Sequence, residues 1–241
     1  MNADLSEAFG SELVLVGAAD TDGLLAYVRR LVNFLEQAPG VELSDVAFTC
    51  SRDYAANRDT ALAVVASTVA DLRARLASAA SRIADGAVRV RDKSGTYYFR
   101  DRMIGEGVDG KLAFVFPGAP SFYPGMIRDL SVRFRECRSP FDELEAALKG
   151  TGAGKFVPSV FVFPPAPYYR HDADVFTAGG YAEAMVSTYS ANAALYRMFI
   201  ALGIRPDGVT GFAGGALSAL AAGGIFGKFE RKDRLSFLRD M

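Results

Sequence analysis

Apolar positions along the chain fall into two kinds of run. Short continuous runs rich in Val and Leu predict buried strands, and longer stretches with apolar residues three and four apart predict helices with one buried side. Glu12–Ala18, ELVLVGA, is of the first kind. Asp22–Gln37 is of the second, with Leu24, Leu25, Val28, Leu31, Val32 and Leu35 on one face. Asp20 or Thr21 is placed to cap that helix, and Pro39-Gly40 stops it. In Val41–Cys50, the residues Leu43, Val46 and Phe48 can anchor a turn of helix. Asp59–Ser67 predicts a second strand. Thr68–Ala84 predicts a second long helix, with Val69, Leu72, Leu76 and Ile83 inward and Gly86 just past its end. Val88–Arg91 and Thr96–Arg100 predict strands around the turn Asp92–Gly95. This alternation gives a small α/β unit with helices packed on one sheet. The glycine- and charge-rich stretch Met103–Gly110 marks its boundary, so the domains are 1–108 and 109–241.

The second unit opens on Lys111–Phe116, KLAFVF, which predicts a buried strand. The loop Pro117–Pro124 leads to a helix from Gly125 to Cys137, and Phe141–Leu148 predicts another. Gly150–Lys155 is a break, and the proline-rich Val157–Pro167 reads as extended. Ala182–Leu202 predicts a long helix with Met185, Tyr189, Leu195, Met198 and Phe199 towards the core, ended by Gly203. Val209–Phe212 is a short strand and Gly214–Ile225 a helix.

Charge narrows the function classes. With 27 basic against 28 acidic residues, the chain lacks the basic excess that nucleic acid or an anionic membrane surface demands. Cys50 and Cys137 lie far apart and His171 is the sole histidine, too few soft ligands for a structural zinc site. The segment Met1–Gly10 carries Asp4 and Glu7 and has no long apolar run, unlike a signal peptide. Ala216–Phe226 is too short and too rich in glycine to span a bilayer. These features point to a soluble, cytoplasmic protein without a metal or cofactor.

Candidate chemistry concentrates at Gly211-Phe212-Ala213-Gly214-Gly215, between a predicted strand and a predicted helix. A G-x-S-x-G elbow in that setting holds its central residue on a sharp turn. Its glycines allow close approach, and the following helix aims backbone N–H groups at what the central residue holds. Both outer glycines, Gly211 and Gly215, are present, but the centre is Ala213, which has no hydroxyl.

The ordered motifs resemble the acyltransferase region of polyketide and polyunsaturated-fatty-acid synthases, the enediyne type included. ELVLVGAAD, DVAFTCSR and RDKSGTYYFRD resemble the linker between ketosynthase and acyltransferase. KLAFVFPGAPSFYPGM resembles the acyltransferase opening, usually FPGQGSQYPGM. FVPSVFVFPP, NAALYRMFIALGIRPDGV and GFAGGALSALAAGGIF follow in the family's order, the last standing where the family has G-H-S-x-G-E. The resemblance implies a linker-like α/β domain followed by the front of an acyltransferase domain. That part has an α/β-hydrolase-like, mostly parallel sheet and lacks the ferredoxin-like subdomain.

The family transfers malonyl or acyl groups from coenzyme A to acyl carrier protein through an acyl-enzyme on the elbow serine, with a downstream histidine as base. Carried over, the nucleophile position is Ala213, and Phe212 stands where the histidine beside the nucleophile does. The oxyanion donors map to the backbone N–H groups of Ala119 and Gly214. Ser121 matches the opening loop, and Pro120 is expected to hold Ala119 extended. Arg239 lies near the place of the arginine that binds the malonyl carboxylate, with Arg231, Lys232 and Arg234 as rivals and a solvated basic stretch as the plainer reading. His171 does not replace the missing base, and neither Ser121 nor Ser218 replaces the nucleophile, Ser121 being a candidate substrate contact instead. The implied partners are acyl carrier protein, malonyl- or acyl-CoA and a ketosynthase domain, with self-association through uncovered apolar surface. The expectations are an inactive acyltransferase fragment; an enzyme completed by another chain; or a non-catalytic acyl-CoA or carrier-protein binder that can also serve as a scaffold.

Overall fold

The computed structural model describes residues 10–56, 59–105, 107–123, 125–149 and 180–225. The expected extended segment Val157–Pro167, His171, and Arg231, Lys232, Arg234 and Arg239 lie outside the described residues. The chain forms two compact units, Met1–Asp109 and Gly110–Met241.

In the first unit, β1 (Glu12–Ala18), β2 (Thr60–Ala66), β3 (Arg89–Arg91) and β4 (Thr96–Phe99) make one sheet in the order β1-β2-β4-β3. Every pairing in it is antiparallel. The register sets Val16, Leu62, Tyr98 and Val90 side by side across all four strands, and each is at most 1% exposed. Helices α1 (Thr21–Gln37) and α3 (Val69–Ala84) join this row in one core through Leu24, Val28, Leu72 and Leu76. Asp20 caps α1 by accepting from the Gly23 N–H at 2.7 Å, and Thr68 caps α3 by accepting from Asp71 N–H at 3.1 Å.

Helix α2 spans Leu43–Ala56, far beyond the single turn expected. Val46, Ala47 and Cys50 are buried and Leu43 packs beside them, so small residues complete a helical stripe that large ones alone do not reveal. Phe48, expected as an anchor, faces solvent instead.

In the second unit, β5 (Ala113–Phe116) and β6 (Gly208–Gly211) pair in parallel. The helices are α4 (Arg128–Arg133), α5 (Arg135–Leu148), α6 (Gly180–Ala201) and α7 (Gly215–Ala222). Cys137 and Phe141 of α5 pack on Ala191 and Ala194 of α6, together with Met126. Arg197 clamps the pair, donating to Glu143 Oε1 at 2.9 Å and Oε2 at 2.8 Å and to Ser139 Oγ at 2.9 Å.

Four expectations change here. The helix predicted over Gly125–Cys137 breaks at Phe134, whose backbone is extended, so α4 and α5 are separate. Helix α5 also runs through Pro140, whose fixed φ suits a helix despite the lost N–H. Helix α6 buries Ala184, Ser187, Thr188, Ser190, Asn192 and Ala194, while Met185, Tyr189, Leu195 and Met198 are half-buried, Met198 packing on the core, and Phe199 is exposed. Finally, β5 is only partly buried: Phe116 is buried and Phe114 half-buried, while Ala113 and Val115 are exposed. The Phe212 N–H donates to Phe116 O and the Gly208 N–H to Leu112 O, so the even-numbered residues face β6. The main-chain groups of Ala113 and Val115 therefore face the outer edge, and Val115 is 70% exposed. Among the described residues, no helix is long and apolar enough to cross a membrane.

Replacing Leu62 by Ala, at the centre of the four-strand row, is expected to lower unfolding stability by about 2–5 kcal/mol. Urea denaturation reads this as a lower midpoint. A loss under about 1 kcal/mol would mean the row is not packed as described.

Candidate functional site

The site is a backbone construction. The parallel ladder continues one residue beyond β6, because the Phe212 N–H donates to Phe116 O at 3.2 Å. The chain then reverses at once: the Gly215 N–H donates to Phe212 O at 2.9 Å, and the Ala216 N–H to Ala213 O at 3.0 Å. Ala213 sits at the tip with φ 51°, in the left-handed region. That conformation costs an L-residue about 1–2 kcal/mol.

The outer glycines are fixed by contact. A Cβ on Gly211 would fall on the carbonyl of Gly215, and a Cβ on Gly215 would fall on the carbonyl of Phe116. Strand β5, the elbow and the first turn of α7 therefore touch backbone to backbone.

The loop after β5 reaches the same point. A Cβ on Gly118 would lie 3.0 Å from Phe212 O, 3.3 Å from the Ala213 Cβ and 3.3 Å from Gly214 N. Ala119 is not extended, as Pro120 led one to expect. It opens a 3-10 turn, Ala119–Ser121, closed by bonds from the Ser121 N–H to Gly118 O and from the Phe122 N–H to Ala119 O, each 3.0 Å. Proline fits at the start of such a turn, where its missing N–H is not needed. Neither Ala119 nor Gly214 donates its N–H to another described residue. The segment Gly211–Ala222 has no ionisable side chain, so the elbow's field comes from the backbone and the N-terminal end of α7.

The side chains around the elbow are placed as follows. Phe212 is 78% exposed, and Ala213 is exposed beside it. Ser121 is exposed and lines an open groove of about 490 Å³ with Phe114, Val115, Thr188, Tyr196 and Phe199. Thr188 Oγ1 is buried without a partner among the described residues. Ser218 is buried, and its Oγ accepts from Asn192 Nδ2 at 3.1 Å, which keeps it away from the exposed tip. The same Nδ2 donates to Pro117 O at 3.0 Å. Sequence reasoning missed Asn192, because these contacts join residues far apart in the chain and leave no local signal.

No thiol stands in for the absent hydroxyl. Cys50 and Cys137 are buried, and burial pushes both thiols up from their ordinary range, with Asp53 adding to the effect at Cys50 and Glu136 at Cys137. Burial keeps both sulfurs from acting as exposed nucleophiles.

Comparison with known proteins agrees with this geometry. No family model matches the chain. It is 31% identical over 211 residues to polyketide synthase GfsA of Streptomyces halstedii, which covers 87% of this chain and 2% of that protein. It is 30% identical over 214 residues to the spectinabilin polyketide synthase system protein NorA of Streptomyces orinoci, covering 84% of this chain and 9% of that protein. The chain thus spans a small part of both relatives. Among solved structures it is similar to the acyltransferase domain of ZmaA, with TM-score 0.67 and 19% identity over 98% of this chain and 48% of that one. The acyltransferase domain of SpnD, in complex with 2-(pent-4-yn-1-yl)malonyl, gives TM-score 0.64 and 22% identity over 97% of this chain and 48% of that one. At these identities the structural likeness is one of fold.

Two substitutions test the elbow by thermal and urea unfolding. Gly215→Ala is expected to cost more than about 4 kcal/mol, since backbone must move to admit its Cβ. Ala213→Gly is expected to gain about 0.5–1 kcal/mol, the relieved strain less the glycine's added chain entropy. A loss of stability in Ala213→Gly would contradict the left-handed tip.

Proposed function

The chain belongs with the acyltransferase domains of polyketide synthases, of which it carries about half, and from that premise we propose that it is an acyltransferase module that has lost the acyl-enzyme step. The reading rests on one observation. The turn that would present a nucleophile is built, strain included, but its tip is Ala213. Loss of a nucleophile of this kind lowers turnover by something on the order of a million-fold.

What survives is main chain. The N–H groups of Ala119 and Gly214 flank Gly118 and have no partner among the described residues, which supports a second role. They serve as donors to the carbonyl oxygen of an acyl thioester, whether carried by coenzyme A or by acyl carrier protein. The module then acts as a binder or as a scaffold beside a ketosynthase domain. Self-association through uncovered surface such as the outer edge of β5 belongs to the same proposal.

Intact-mass measurement after incubation with malonyl-CoA tests it. The native chain is expected to gain no acyl adduct, and purified protein is expected to hydrolyse no coenzyme A ester. Ala213→Ser is expected to gain one malonyl group slowly. In that step the serine oxygen bonds to the thioester carbonyl carbon, the carbon–sulfur bond breaks, and coenzyme A leaves with the hydroxyl proton. Turnover by the native chain would overturn the inert reading. Absence of any adduct on Ala213→Ser would show that the elbow no longer holds a productive geometry.

A further inference from the structure

We infer that Asn192 is the positioning residue that sets the distance between the two N–H donors at the elbow, an inference that rests on the thioester-carbonyl reading above. Asn192 is 6% exposed on the inner face of α6. Its Nδ2 donates to Pro117 O at 3.0 Å and to Ser218 Oγ at 3.1 Å. The orientation of the amide is forced: Pro117 O can only accept, so the nitrogen must face it.

The two arms end on either side of the elbow. Pro117 precedes Gly118 and Ala119, so its carbonyl anchors the loop that carries one donor. Ser218 lies in the first turns of α7, the helix whose start carries Gly214, the other donor. Pro117 has no N–H, so its carbonyl is the one main-chain group through which that residue can be held. A single NH₂ group thereby ties the loop after β5 to α7 through the rigid body of α6. Tyr196 also joins α6 to α7, with its hydroxyl donating to Ala222 O at 3.1 Å, but at the far end of α7. Around the donors, Phe212 O and Gly214 N lie so near Gly118 that a Cβ there would meet them at 3.0 and 3.3 Å. They limit how closely loop and elbow approach, and the Asn192 amide limits how far they separate.

The inference separates from simple packing. Leu has the branched skeleton of Asn, is bulkier, and fills the space without donating. In full-length, ¹⁵N-labelled protein, Asn192→Leu is expected to shift the Ala119 and Gly214 amide cross-peaks by more than a line width and to add exchange broadening at both. The Val64 amide, in the other unit, is expected to stay in place. Asn192→Gln keeps the donor and is expected to return both peaks towards their native positions. If Asn192→Leu does not fold, Ser218→Ala cuts the α7 arm alone and is expected to move Gly214 while leaving Ala119 unmoved. In the Ala213→Ser background, Asn192→Leu is expected to slow acylation by malonyl-CoA about tenfold, the equivalent of one lost hydrogen bond, and Asn192→Gln to restore most of it. Native peak positions in both Asn192→Leu and Ser218→Ala would overturn the inference. If Ala213→Ser takes no acyl group, the functional reading fails, and the amide pattern still decides the role of Asn192.

Discussion

Everything at the elbow depends on backbone meeting backbone where no side chain fits. Gly211 lies against the carbonyl of Gly215, and Gly215 against the carbonyl of Phe116. That contact brings the start of α7 down onto the end of β5. It leaves the residue between the glycines no path except a left-handed turn. Strand, loop and helix N-terminus converge because two residues lack Cβ atoms, and the donors at Ala119 and Gly214 follow from the convergence. The geometry belongs to the main chain, so it does not depend on which side chain stands at the tip.

Much of the first unit was legible in the sequence because its core obeys simple periodicity. Leu24, Leu25, Val28 and Leu35 repeat at helical spacing and are buried on α1, and β2 alternates buried and half-buried residues along its length. Reading failed where burial is carried by small residues. Ala47 and Cys50 complete the stripe of α2, and Ser187, Thr188 and Ser190 lie on the inner face of α6, yet none carries the hydrophobic signature of a core position. Composition hid β5 in the opposite way. KLAFVF is apolar enough for a buried strand, but exposure is set by what lies alongside, and no local pattern reports that β6 alone pairs with β5 among the described residues.

The elbow itself was legible from glycine spacing and from the ordered motifs around it, and its strained tip is now seen at Ala213. The brace was not legible. Asn192 is an ordinary polar residue within an alanine-rich helix, and its partners Pro117 and Ser218 lie 75 and 26 residues away. Local sequence predicts helices and turns, whereas the spacing of two donors is fixed by a contact between distant segments. Arg239, the candidate for holding a malonyl carboxylate, lies outside the described residues.

A left-handed alanine is a stress that neighbouring bonds must sustain. An exposed residue with no role would relax into an ordinary turn unless the surroundings over-determined its conformation. Here they do: the Phe212 N–H is held by Phe116 O, Phe212 O by the Gly215 N–H, and Ala213 O by the Ala216 N–H. The strain therefore follows from the packing of β5, β6 and α7 and needs no continuing chemistry to explain it. A retained elbow alone is then weak support for a retained reaction. The stronger functional signal lies in two N–H donors without a partner among the described residues and in the amide of Asn192 joining the segments that carry them. Binding of a thioester carbonyl asks only for those groups, whereas transfer asks for a hydroxyl that Ala213 cannot supply.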